Sequence, residues 1–243
     1  MPMVFITSGT SFVVPVDCNK FDWIDCIGEG GGCGNSISLP GGAGGAWSRV
    51  NNLTVTPGST VYCQIGTGAS IGVAGKDTWI NKTSNSAPTS TADGCLAKGG
   101  GTTTGGPSVG GAAASGVGDS KYSGGDSSSA PSRGGGGGAA GPNGNGNSGS
   151  ATDGGSADAG LGGAGGISSS STNPGNGTEY DATHGSGGGG YGKSGGGSSG
   201  GKYGGGAGGD NRGGQISGGG LIAYSYTPVA AAVTGFNMPM MGM

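Results

Sequence analysis

The chain is short of charge, of aromatic residues and of long hydrophobic runs. Charged residues make up 9% of its 243 positions and the formal net charge is −3. Lysine and arginine stand singly, so neither a nucleic-acid footprint nor a membrane-surface patch is expected. The longest apolar runs span a handful of residues, far below the roughly 20 that cross a bilayer. The opening Met1-Pro2-Met3-Val4-Phe5-Ile6 lacks the basic and apolar regions of a standard export signal. Work outside a cell would then require another route, such as release of a particle by host lysis. One histidine and five cysteines, none in a CxxC pair, leave no set with zinc-finger spacing. No metal or cofactor is expected.

What the chain has instead is glycine, 68 residues of it, about four times the usual share of roughly 7%. Collagen is excluded, because glycine does not recur at every third position and only 11 residues are proline. Disorder is opposed by the Val, Ile, Phe, Trp and Tyr clustered at both ends, and stays open for the middle. Enzymes become the minority class. Cys18, Cys26, Cys33, Cys63 and Cys95 all fall in the first 95 residues. They read as buried small hydrophobes or as one or two disulfides formed after release, with an odd thiol left over.

The periodicity is that of an all-β chain with almost no helix. Strands are expected within Ser11 to Val16, Phe21 to Gly28, Leu53 to Thr56, Thr60 to Gly66, Thr78 to Ile80 and Leu221 to Tyr226. Asp22 and Asp25 break the alternation of the second of these. Pro57-Gly58 between two strand-like runs predicts a hairpin. The organisation is a β-rich part over 1–98, a glycine tract over 99–220 that closes onto the same domain, a closing strand over 221–228 and an apolar tail over 229–243. The tract carries Val109, Val117, Tyr122, Leu161, Ile167, Tyr180, Tyr191, Tyr203 and Ile216 as its large residues. Nine scattered side chains cannot offset an ordering cost on the order of 1–2 kcal/mol per residue. Order there must come from backbone hydrogen bonds between close-packed polyproline-II segments, turned at Pro107, Pro131, Pro142 and Pro174. The expected fold is a β-sandwich-like framework carrying a glycine-rich polyproline-II and loop region.

In order along the chain stand Gly9 to Pro15, Ile27 to Gly32, Gly41 to Trp47, Leu53 to Gly58 with Tyr62 to Gly66, Gly75 to Ile80, and Gly220 to Pro228. Taken together they resemble the glycine-rich domain of bacteriophage tail-fibre and receptor-binding proteins. The resemblance implies a β-rich framework carrying a glycine-rich region and a place in the virion at its host-contacting end, with other virion subunits and a bacterial surface receptor as expected partners; no arrangement of residues points to catalysis. A homo-oligomer is left open. The cysteines, and the lack of a fibre shaft or trimerisation segment, depart from many relatives. The alternatives are a decoration or collar component without a receptor, and an ice-binding polyproline-II protein.

Gly187 to Ser194 fits the P-loop expression, but no strand precedes it and no helix follows, so nucleotide binding is not expected. His184 lies near Asp181 and Glu179 without a rigid support for catalysis. Exposed aromatics on polar glycine loops are the better candidates. Tyr180, Tyr191, Lys193, Tyr203 and Arg212 are taken as receptor-binding residues, with packing of the tyrosines across glycine segments as the alternative. Phe236, Met238, Met240 and Met241 form an adaptable apolar segment suited to docking on a partner subunit, with a frayed terminus as the alternative.

Overall fold

The computed structural model describes residues 1–34, 40–102, 106–128, 133–210 and 215–229. Pro131, Arg212, Phe236, Met238, Met240 and Met241 lie outside the described residues. Among those described, nine strands form two antiparallel sheets and helix is confined to single 3-10 turns at Ala113–Ser115 and Asp158–Gly160. The strands are β1 (Met3–Ile6), β2 (Ser11–Val13), β3 (Lys20–Ile27), β4 (Trp47–Thr54), β5 (Thr60–Gln64), β6 (Thr78–Asn81), β7 (Gly94–Ala97), β8 (Ser120–Tyr122) and β9 (Leu221–Ser225). One sheet runs β1-β9-β3-β4-β8 and the other β2-β5-β6-β7.

The closing strand sits inside the larger sheet. β9 pairs with β1 on one side and β3 on the other, placing Ala223 beside Phe5 and Asp25, and Ile222 beside Cys26. Between the sheets lie Phe21, Ile24, Val50, Leu53, Val61, Ile80, Ile222 and Tyr224. The Tyr224 ring bridges the two layers, with its centroid 5.5 Å from Phe12 of β2 and 4.6 Å from Phe21 of β3. Cys18, Cys26, Cys63 and Cys95 fill the same core, and all five cysteines are buried and free. They therefore act as small apolar fillers.

The expected hairpin at Pro57-Gly58 does not form. β4 pairs with β3 and β8, whereas β5 pairs with β2 and β6. The connection crosses from one sheet to the other because Leu53 and Val55 on one side and Val61 on the other bury into the shared core. β1, β7 and β8 were not expected from the sequence. They are three or four residues long, too short for an alternating pattern to register, and β8 is mostly polar.

Beyond the sandwich the chain forms a bundle of extended segments tied by backbone bonds. Residues 40–46 show the pattern. Gly42 and Gly45 donate to the carbonyls of Ala207 and Gly204, Ala43 and Ala46 to those of Gly101 and Lys98, and Gly44 to that of Gly125, at 2.8–3.1 Å. In return the segment accepts from Gly28, Gly31 and Gly34, from Gly111, and from Gly137 and Ala140. Three neighbours accept from it and three donate to it, and four of the six are met again after three residues. That is the threefold repeat of polyproline II, and Ala157 has matching dihedrals of φ −85° and ψ 163°. Residues 133–141 and 185–192 repeat the arrangement.

Glycine is required because segments approach backbone to backbone. A Cβ on Gly42 would overlap the Gly31 carbonyl, and one on Gly154 the Gly189 carbonyl. Sequence halves do not mark the boundary. Residues 28–34 and 40–46 belong to the bundle, whereas β8, from within the glycine tract, pairs with β4.

Candidate functional site

The bundle grows from one end of the sandwich, since β3 continues into 28–34, β7 into 98–102, and 40–46 and 215–220 lead into β4 and β9. Its segments alternate in direction and so create two ends. Turns at 141–145, 158–162, 178–185 and 202–204 lie at the base beside the larger sheet. Connections at 70–72, 151–153, 168–172 and 193–196 lie at the opposite tip. At about 3.1 Å per residue, residues 185–192 put roughly 20 Å between the two.

The base is a joint built on a buried ion pair. Asp25 is 1% exposed and accepts two bonds from Arg49, at 2.6 and 2.7 Å. Tyr180 donates its hydroxyl to Asp25 at 2.7 Å and accepts the Trp47 indole N–H at 3.0 Å. The Arg49 guanidinium lies 5.0 Å from the Trp23 ring and 5.3 Å from that of Trp47. Burial raises the Asp25 carboxyl above its ordinary value against the pull of Arg49. Burial and the neighbouring Asp25 push the Tyr180 phenol well above its own. Next to this network Ile27, Trp47 and Leu221 pack on Ala139, Ala140 and Ala157.

The 178–185 turn is clamped by rings. His184 stacks on Phe5 of β1 at 4.0 Å and faces Tyr203 at 5.8 Å, with planes within 2°. Its Nδ1 meets Asp181 at 2.8 Å. The Thr183 N–H bond, with help from His184, holds the Asp181 carboxyl at about 2. Burial raises the Glu179 carboxyl, which accepts the Ser186 N–H at 3.1 Å. His184 is thus held between two rings and turned toward a carboxylate, and among the described residues the hydroxyl bonded to it is that of the adjacent Thr183, at 3.0 Å.

At the tip the polar loops interlock. Gly192 donates to the Thr152 carbonyl at 2.7 Å, Ser168 Oγ to that of Gly192 at 3.1 Å, and Lys193 Nζ to Ser171 Oγ at 2.7 Å. The Ser168 N–H donates to Asp153 at 2.7 Å. The resulting surface is hydroxyl-rich, with Lys193, Ser169, Ser170, Ser171 and Thr152 exposed.

The residues taken as receptor-binding do not share one surface. Lys193 stands at the tip. Tyr191 is 6% exposed, its N–H bonded to Ser198 Oγ at 2.9 Å inside the bundle. Tyr180 and Tyr203 lie at the base, half-buried against the larger sheet. The P-loop-like Gly187 to Gly190 sit within the bundle with their amides bonded to Tyr203, Gly175, Gly155 and Gly206. The Asp25–Arg49–Trp47 joint went unnoticed in the sequence, although the carboxylate that breaks the alternation of β3 was its signal. Among the described residues no group of three His, Cys, Asp or Glu converges as metal ligands would, and no helix is long and apolar enough to cross a membrane. Two grooves run along the bundle, of about 510 Å³ beside Pro107 and Asp126 and about 340 Å³ beside Asn173 and Gln215.

No family model matches the chain, and no curated protein matches it.

Proposed function

We propose that the chain is a bacteriophage virion protein, a tail-fibre or fibre-tip adhesin that contacts the host surface without catalysis. The observation that carries this reading is polarity. Met3 of β1 pairs with Ser225 of β9, and Val229 donates to Asp17 at 2.8 Å, all at the end of the sandwich away from the bundle. Attachment to other virion subunits through that end leaves the hydroxyl-rich tip loops directed outward. Serine, threonine and glycine loops on a rigid support suit such contact, because they bring adaptable hydrogen bonding and little entropy is lost on binding.

The test is saturable binding of labelled, purified protein to a panel of bacteria, with competition against phage adsorption. Binding confined to some strains that also blocks adsorption is the expected outcome. Absence of binding by well-folded protein would favour a decoration or collar component instead.

A further inference from the structure

From the groove between residues 106–112, 123–128 and 146–150 we infer a binding site for an uncharged saccharide unit. Its natural source, a host surface glycan, rests on the adhesin reading; the binding chemistry does not. The groove is lined by Pro107, Asp126, Ser127, Ser148, Ser150 and Ala151, among others, and its volume of about 510 Å³ falls within the range of roughly 300–1,000 Å³ of small-molecule clefts.

Its walls are fixed by backbone bonds. Ser127 N–H donates to the Ser108 carbonyl and Gly149 N–H to that of Asp126, both at 2.9 Å. Gly110 N–H, at 2.8 Å, holds Asp126 Oδ1 in an otherwise exposed carboxylate. A carboxylate has room for more acceptor bonds than this one, and two adjacent ring hydroxyls match it. Ser127, buried beneath the groove, fixes its floor by accepting the Ser108 N–H on Oγ at 2.7 Å. Ser150 Oγ donates to the Asp153 carbonyl at 3.3 Å and accepts the Asp153 N–H at 3.2 Å, which leaves it one lone pair. Ser148 is exposed at the rim, whereas Pro107 and Ala151 supply apolar surface for sugar C–H groups. The exposed Asp126 carboxylate and the Ser148 and Ser150 hydroxyls beside an apolar wall complement a polyol. Among the described residues no lysine or arginine lines the groove, so Asp126 disfavours uronic acids, sialic acids and phosphorylated sugars by like-charge repulsion.

The experiment uses the full chain on an array of neutral hexose and N-acetylhexosamine oligosaccharides, with acidic oligosaccharides alongside. Asp126→Ala removes the carboxylate. Ser148→Trp fills the groove from an exposed rim position and leaves the carboxylate and its Gly110 bond in place. The expected result is saturable binding of at least one neutral oligosaccharide, weakened about tenfold or more by each variant with the melting temperature unchanged. Binding of acidic sugars alone, binding of none, or binding that survives both variants would overturn the inference. A second arm separates it from the adhesin reading. Cells bound equally by wild type and both variants defeat the groove and leave the adhesin; a saccharide bound through the groove with no strain recognised does the reverse.

Discussion

The sandwich and the bundle solve the same problem, the pairing of buried backbone groups, with opposite resources. In the sandwich, side chains such as Phe21, Ile24, Val61 and Ile222 exclude water, and the ladder bonds accompany that burial. In the bundle almost no side chain is available, and segments meet through N–H and C=O groups alone. A net gain of about 1 kcal/mol per hydrogen bond is repeated in every direction around a segment, where a strand has only two edges to pair. The difference teaches that glycine content, which in a linker signals flexibility, can signal close packing when the segments are short, alternate in direction and start from a rigid sheet.

This comparison breaks most severely at an interior glycine. Gly42→Val places a branched side chain against a carbonyl that cannot rotate away, unlike a core side chain. The loss should exceed the ~1–3 kcal/mol of ordinary overpacking and lower the melting temperature by about 10 °C or more. Gly196→Ala, with open space around it, should leave the melting curve unchanged. Equal effects of the two would contradict the bundle.

A cavity in the sandwich comes next. Ile24→Ala should cost about 2–5 kcal/mol, and calorimetry should show one transition moving as a whole, because the joint couples the two regions. Separate transitions for sandwich and bundle would show that Asp25, Arg49 and Tyr180 do not couple them.

Tyr180→Phe tests the joint directly. It removes a bond to Asp25 and leaves the Trp47 N–H without its acceptor, at a cost of about 1–3 kcal/mol, with a change in near-ultraviolet circular dichroism. An unaltered melting temperature would reduce the joint to simple packing.

The smallest effect is that of acid on the 178–185 turn. The folded state holds the Asp181 carboxyl at about 2, below its ordinary 3.8. Its contribution is therefore complete above about pH 4 and is lost as pH falls toward 2. Protection of the Thr183 and His184 amides, taken relative to their intrinsic exchange rates, should fall across that window in the wild type and show no such step in Asp181→Asn. Asp181 is exposed, so global stability should barely respond.

Much of the framework was legible. Val, Ile, Phe and Trp clusters marked β2, β3, β5, β6 and β9, and the glycine tract was legible as close-packed polyproline II because no side-chain core could order it. Pro142 and Pro174 do stand at or beside turns. The hairpin reading of Pro57-Gly58 failed because a turn motif reports local backbone direction, and sheet membership depends on which core the flanking Leu53 and Val61 enter. The candidate site was read less well. Tyr180 and Lys193 are 13 residues apart, and proximity in sequence suggested one surface. An extended segment carries the chain from base to tip between them and separates what a compact loop would have joined.

By itself the sequence determined that this protein is all-β with almost no helix, and that any order in its glycine tract must come from the backbone. Residue type settles such matters, since they follow from what a side chain can bury and what a bare Cα permits. Only the tertiary structure decided which segments neighbour one another, which tyrosines face the sheet, and that Asp126 and the serines of 127, 148 and 150 share a groove. Glycine segments are nearly interchangeable in composition, so their partners are chosen by strand geometry at the base and by the three-residue register of bonds that follows from it.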